Sequence, residues 1–293
     1  MNHLLEVLKI VEGAVNGDAR KVMAYVDLLA SKLETEGDVR SAERLRRVVE
    51  DKLELRWSPQ QISGWLARAF PDDPEMRVSH ETIYLSLFVQ SRGALRKELT
   101  RYLRRGHATR RPLGHSVMNG QGQLRGTINI RERPAEANDR AVPGHWEGDL
   151  IFGKKMSAVA TLVERKSRFV MLIALPDGHR ADLVADTLAT KIGTLPEQLR
   201  RSLTWDQGKE MADHARFSID AGITVYFCDP RSPWQRGTNE NTNGLLRQYF
   251  PKRSDLKAHT QADLDQVAAE LNDRPRQTLG WLSPSEALDQ ALR

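Results

Sequence analysis

The chain has 293 residues, 40% of them hydrophobic and 28% charged, with a net charge of +5. That apolar content at this length supports one large core or two smaller ones and excludes a disordered, collagen-like or purely coiled-coil chain. A single cysteine, Cys228, excludes an internal disulfide; no run approaches the roughly 18 apolar residues of a bilayer span, and the acid-bearing start lacks a basic leader, so a cytoplasmic setting is expected.

Residues 1–56 read as a small helical module. Leu4, Leu5, Leu8 and Val11 keep a helical period, as do Val22, Tyr25, Val26 and Leu29, and a third stretch, Ser41 to Leu55, turns Leu45, Val48, Val49 and Leu53 inward. Packing or self-association is the expected role.

Residues 57–91 carry a stronger pattern. Ser58-Pro59-Gln60-Gln61 is a capping box with proline at the first helical position, followed by Ile62, Trp65, Leu66, Ala69 and Phe70 on one face. After a Pro- and Asp-rich turn, Ser79 caps a second helix with Val78 as its staple and Ile83, Tyr84, Leu87 and Phe88 inward. Two short amphipathic helices about a turn predict a helix-turn-helix, in which Arg77, His80, Glu81 and Thr82 face base edges. An ordinary helical hairpin satisfies the same pattern, and the neighbouring charge favours DNA.

Residues 92–143 hold that charge. From Arg92 to Arg140 there are 12 Lys and Arg against 4 Asp and Glu, so the rest of the chain is slightly acidic. A basic helix, Gly93 to Arg105, with Arg104 and Arg105 at its end, leads into a Gly-, Pro- and Asn-rich stretch with a possible strand near Gly126 to Ile130. A basic linker lying along a phosphate backbone is predicted, a solvated linker being the bland alternative.

Residues 144–293 change to an α/β pattern. Trp146 to Phe152, Ala158 to Val163 and Phe169 to Leu175 predict an antiparallel meander. A helix (Ala181 to Ile192), a strand (Leu203 to Asp206), a helix (Met211 to Asp220), a strand (Ile223 to Phe227) and two terminal helices follow. The order βββαβαβα is that of a ribonuclease H-like α/β domain.

Three acids occupy special places in that order: Asp149 within the first strand, Asp206 at the end of the fourth and Glu240 opening the helix after the fifth. An acid inside an apolar strand is costly unless compensated, and a divalent cation is the natural compensation. Carboxylates without a Cys or His set favour magnesium or manganese over zinc. Singly, each acid can be a turn former or a helix-dipole partner. Glu147, Glu210 and Asp229 compete, Glu147 as a supporting group on the face of Asp149 and Asp229 as a turn residue.

The loop from Asp229 to Gly244 carries Arg231, Trp234 and Arg236 into an Asn-rich helix, a composition that folding alone does not explain. Trp234 is placed to stack on a base, Arg231 and Arg236 to hold phosphates, and Arg247 lies two turns beyond Glu240 on the same face. Cys228, His145, His179 and His214 are expected to be structural or superficial.

The blocks HWEGDLIFGK, LTWDQGKEM and FCDPRSPWQRGTNENTNGLLRQYFPK resemble the three catalytic blocks of the DDE transposases of the insertion sequence thirty family, and WSPQQISGWL with VSHETIY resembles its helix-turn-helix. Asn272, Arg274, Pro275 and the Trp281 to Leu288 tail are similar to the family's carboxyl end. Residues 1–50 do not resemble the additional amino-terminal helix-turn-helix with which the family usually opens. The resemblance implies that Asp149, Asp206 and Glu240 bind two Mg2+ or Mn2+ ions and that Arg247 is the family's basic residue after the glutamate. It also implies cleavage at element ends and strand transfer into target DNA by at least a homodimer associated with the nucleoid. A DNA-binding regulator and a divalent-metal nuclease that does not join strands are the alternatives.

Overall fold

The structure, a computed structural model, describes residues 39–89, 124, 126–230 and 232–293, in two compact units, Met1–Thr100 and Arg101–Arg293. The helices expected before residue 39, the basic helix with Arg104 and Arg105, and Arg231 lie outside the described residues. Among the described residues no helix is long and apolar enough to cross a membrane.

In the first unit, α1 (Val39–Glu54) buries Val49 and Leu53, the face read from its period. α2 (Pro59–Ala69) starts at the expected box: Ser58 Oγ accepts from Gln61 N at 3.2 Å and Gln61 Oε1 from Ser58 N at 2.9 Å. Ile62 and Leu66 are buried, but Ala69, expected inward, is exposed because the helix ends there. α3 (His80–Val89) opens with Thr82 N donating to Ser79 Oγ at 3.0 Å. It buries Ile83 and leaves Tyr84, also expected inward, 38% exposed. The connection runs over residues 70–79 and contains a turn of 3-10 helix, Pro74–Met76, that buries Met76. It is longer than the three- to four-residue turn of a compact helix-turn-helix.

The second unit is a mixed six-stranded sheet in the order β1-β6-β5-β2-β3-β4. β1 (Ile128–Asn129) comes from the stretch expected to be linker and pairs in parallel with the last strand. The short helix α4 (Ala135–Asn138) follows, burying Ala137, so residues 126–143 pack on the sheet rather than bridging to it. β2 (His145–Phe152), β3 (Ala158–Glu164) and β4 (Val170–Ala174) form the predicted antiparallel meander. Then come α5 (Ala181–Gly193), β5 (Ser202–Trp205), α6 (His214–Ala221) and β6 (Thr224–Phe227), with β5 parallel to β2 and to β6. The chain closes with α7 (Gly237–Leu246), α8 (Gln261–Asn272) and α9 (Pro284–Leu292). The sequence predicted two terminal helices; Pro251 with the capping box at Thr260, and then the capping box at Ser283 with Pro284, divide this region into three.

Alternation along β2 sorts the layers. Trp146 and Leu150 enter one core with Val184, Leu188 and Ile192 of α5 and Phe217 of α6. Ile151 enters a second core, on the opposite face, with Leu245 and Leu246 of α7 and Leu264 and Leu271 of α8. Glu147 and Asp149 share this second face, beneath α7.

The outer edge of β4 is closed by side chains of α8. Asn272 Oδ1 accepts from Val170 N at 2.8 Å while its Nδ2 donates to Val170 O at 2.9 Å. Gln261 does the same farther along, accepting from Ala174 N and donating to Leu172 O. These amides satisfy backbone groups that a bare edge strand would present to solvent.

Candidate active site

The parallel pairing of β2 with β5 matches Trp146 to Leu203 and Glu147 to Thr204. Carried two residues further, the register sets Asp149 beside Asp206. Gly148 makes this approach possible: a Cβ there would stand 2.1 Å from the Trp205 ring, in a core with no room to yield. Each aspartate therefore follows one half of a glycine-indole contact.

One cation joins the two acids. Arg236 Nη2 donates to Asp206 Oδ2 at 3.0 Å, Arg236 Nη1 lies 3.4 Å from Asp149 Oδ1, and Nη1 also donates to Gly148 O at 2.8 Å. Arg236 is buried, so it is not the solvent-facing phosphate holder expected from the sequence. It is drawn inward because two carboxylates repel without a counter-charge. Burial raises the Asp149 pKa to about 6, Arg236 opposing and Asp206 reinforcing the rise. Asp206 is further held by Gly208 N, which donates to its Oδ1 at 2.9 Å.

The asparagines of α7 explain the composition that looked unsuited to a helix. Asn239 is fully buried: its Nδ2 donates to Glu147 O at 2.9 Å, and its Oδ1 accepts from Thr161 Oγ1 at 3.0 Å. Asn239 N donates to Glu147 Oε2 at 3.1 Å, while the other Glu147 oxygen pairs with the buried Arg165. One turn on, Asn243 Nδ2 donates to Asp149 Oδ2 at 2.8 Å, and its Oδ1 is buried without a partner. The two asparagines thus clamp α7 along β2. Their i, i+4 spacing was the available signal, missed because Asn was weighed only as a poor helix former.

Glu240 lies between these clamps, exposed in the first turn of α7, four residues after Arg236 and three before Asn243. It therefore shares their flank of the helix, yet among the described residues no three His, Cys, Asp or Glu side chains gather closely enough to hold a metal ion. The structure brings Asp149 and Asp206 together and leaves Glu240 outside that pair, with a guanidinium in the position a cation would take. Even so, the donor chemistry fits a hard divalent ion. The acids offer only oxygen, burial raises the Asp149 pKa beyond what Arg236 offsets, and the orphaned Asn243 oxygen belongs to the amide that holds Asp149.

The other expected residues are dispersed. Trp234 is 74% exposed on a short 3-10 turn. Arg247 ends α7 and donates to Phe152 O at 3.3 Å and Phe250 O at 3.4 Å. Asp229 is a hub as well as a turn residue, accepting from Asn129, Arg131 and Gln235. Glu210 accepts from Trp205 Nε1 at 3.1 Å. Cys228 is buried just past β6, where burial pushes its thiol up to about 11, with Arg236 and Arg133 opposing. In the first unit, Arg77 ties the turn, donating to Leu66 O and Pro71 O, while Glu81 and Thr82 are exposed and His80 is half-buried.

Residues 139–233 match the family described as integrase core domain. The chain is 51% identical to the transposase for insertion sequence element IS1086 of Cupriavidus metallidurans, over 84% of this chain and 72% of that protein. It is 49% identical to transposase InsI for insertion sequence element IS30A of Escherichia coli, over 85% of this chain and 65% of that one. The chain belongs to the DDE transposases of the insertion sequence thirty family. A more distant relative, the transposase for IS4351 of Bacteroides fragilis, is 36% identical over 85% of this chain and 74% of its own length. The chain thus spans roughly two thirds to three quarters of these relatives. In this transposase the integrase core match ends at residue 233, so Arg236 and the helix bearing Glu240 and Asn243 follow it.

Proposed function

We propose that this transposase cleaves phosphodiester bonds at the ends of an insertion element and joins the freed 3′-hydroxyl to target DNA, with Asp149, Asp206 and Glu240 as ligands of Mg2+ or Mn2+. The juxtaposition of Asp149 and Asp206 across the β2–β5 pair, around one cationic centre, carries the proposal. Bound divalent ions would supply an activated water and charge stabilisation at the leaving oxygen.

The chain's own contribution is positioning. Gly148 O and the two aspartates fix Arg236, so the acids are held at one spacing before any ion arrives. Asn239 and Asn243 fix the rise and rotation of α7 against β2, which sets the flank from which Glu240 approaches. Glu240 completes the set when the guanidinium yields its place. Positioning of this kind matters because a displacement of about 1 Å can cost about 100-fold in rate.

Exposed Trp234, the α3 amino terminus and the basic segment ending at Arg104 and Arg105 are assigned to DNA. Residues 57–91 serve as the helix-turn-helix, 92–125 supply the basic connection and 126–293 form the ribonuclease H-like catalytic core, with 126–143 as its first layer. Joining two element ends calls for at least two copies of the chain. The test is Asp149→Asn, assayed with labelled duplex ends and Mn2+. Nicked and joined products should disappear while DNA binding stays. Equal cleavage by variant and parent would remove Asp149 from the site, and nicking by the parent without joining would make the chain a nuclease.

A further inference from the structure

The flank of α7 turned away from Asp149 borders a cavity of about 300 Å3. Arg140, Arg168 and Arg276 line it, with Thr238, Asn241 and Thr242 from the first turns of α7. Arg140 Nη2 donates to Thr238 Oγ1 at 3.3 Å, and Arg168 Nη1 donates to the same oxygen. One neutral hydroxyl serves two guanidinium groups, and among the described residues neither Arg140 nor Arg168 pairs with a carboxylate.

This clustering is unfavourable on its own. Like charges converge at the positive end of a helix, and both arginines hold a left-handed backbone, with φ of 55° at Arg140 and 64° at Arg168. Such conformations are uncommon outside glycine and concentrate at ligand clamps. Burial lowers the guanidinium pKa values of the neighbouring Arg133 and Arg165, Arg133 to about 10; Glu147, the ion-pair partner of Arg165, opposes the fall in both and Arg140 adds to it. The missing partner is an anion with several acceptor oxygens, which forked arginine donors suit.

We propose that this cavity binds a non-scissile phosphodiester of the DNA backbone, held by Arg140, Arg168 and Arg276; the assignment to DNA rests on the function proposed above. Thr238 and Glu240 lie in the same turn of α7, on flanks separated by about one helix diameter, roughly 10 Å. A few nucleotides, rising about 3.4 Å each, span that distance. The strand whose bond is cut beside Glu240 would be gripped a few phosphates away.

The test uses the full chain, the single variant Arg168→Gln and the double variant Arg140→Gln/Arg168→Gln. In chloride the double variant should melt no lower than the parent, since it loses two like charges sharing one acceptor. A lower melting temperature would make the arginines structural and overturn the proposal. Replacing chloride by sulfate at matched ionic strength should raise the melting temperature of the parent more than that of the double variant, which keeps only the general stabilisation by an excluded anion; equal shifts would show that no anion site exists. Duplex DNA binding should weaken in the double variant, with the log–log salt dependence shallower by about 1, the contribution of one phosphate, and by less in the single variant. A lost sulfate response with unchanged DNA binding would make this a site for free anions. The sulfate response is independent of strand cleavage, so a parent that binds DNA but never cuts it would count against the catalytic proposal alone.

Discussion

The two flanks of α7 solve opposite electrostatic problems in opposite ways. On the flank facing β2, one guanidinium serves two carboxylates and adds a backbone carbonyl, so Asp149 and Asp206 are compensated within the fold. On the other flank, two guanidinium groups share one hydroxyl and no acid answers them among the described residues. On the two proposals above, the first is a site held ready by an internal cation that gives way to a metal ion, and the second a site left open for an anion. One helix would then separate the metal-binding flank from the flank that holds a DNA phosphate.

The largest effects should separate the flanks by function. Asp206→Asn is expected to reduce cleavage by at least about 100-fold with duplex affinity retained, whereas Arg140→Gln/Arg168→Gln should weaken duplex binding and leave the rate at saturating DNA close to that of the parent. Parallel losses in both assays for both variants would erase the distinction.

Next comes the internal cation. Arg236→Gln should lower stability by about 2 kcal/mol, below the cost of breaking a fully buried pair because Asp206 is 42% exposed. Mn2+ should then raise the melting temperature of the variant more than that of the parent. Equal Mn2+ shifts would show that guanidinium and metal do not compete for one place. Thr238→Val, which removes the shared acceptor, should cost about 1 kcal/mol in chloride and less in sulfate, where the anion replaces it.

The smallest effect lies away from both flanks. His145 is buried at the start of β2, where Nδ1 and Ser202 Oγ share a hydrogen bond of 2.7 Å and Nε2 lies 3.3 Å from Glu136. Burial lowers its pKa below 6.5, with Glu136 opposing. The unfolded chain then takes up the proton more readily, so stability is full above pH 6.5 and falls as pH drops through that value toward the lower folded pKa. Urea midpoints at about pH 7.5 and 5.5 should differ less in His145→Gln than in the parent; an identical difference would remove His145 as a source of acid sensitivity.

The meander, the α5–β5–α6–β6 order and the capping box at Ser58 were legible because each rests on local periodicity or punctuation. The pairing of Asp149 with Asp206 was legible in outcome but not in cause: the register of β2 on β5 and the fit of Gly148 to Trp205 join residues 57 positions apart. Arg236 was misplaced because an arginine in a Gly- and Pro-punctuated loop reads as exposed, and only the fold shows the two acids that draw it in. β1 was half-seen, since two residues carry too little alternation to identify a strand, and its pairing with β6 alone makes it one. The cavity was invisible, because Arg140, Arg168 and Arg276 come from three stretches far apart in the sequence.

The amide clasp that Gln261 and Asn272 place on Val170, Leu172 and Ala174 has a consequence for assembly. Among the described residues, the sheet presents no bare ribbon past β4 for a sister molecule to extend, and the opposite margin, β1, is only two residues long. Copies assembled as proposed above would then meet through surfaces other than the margins of this sheet.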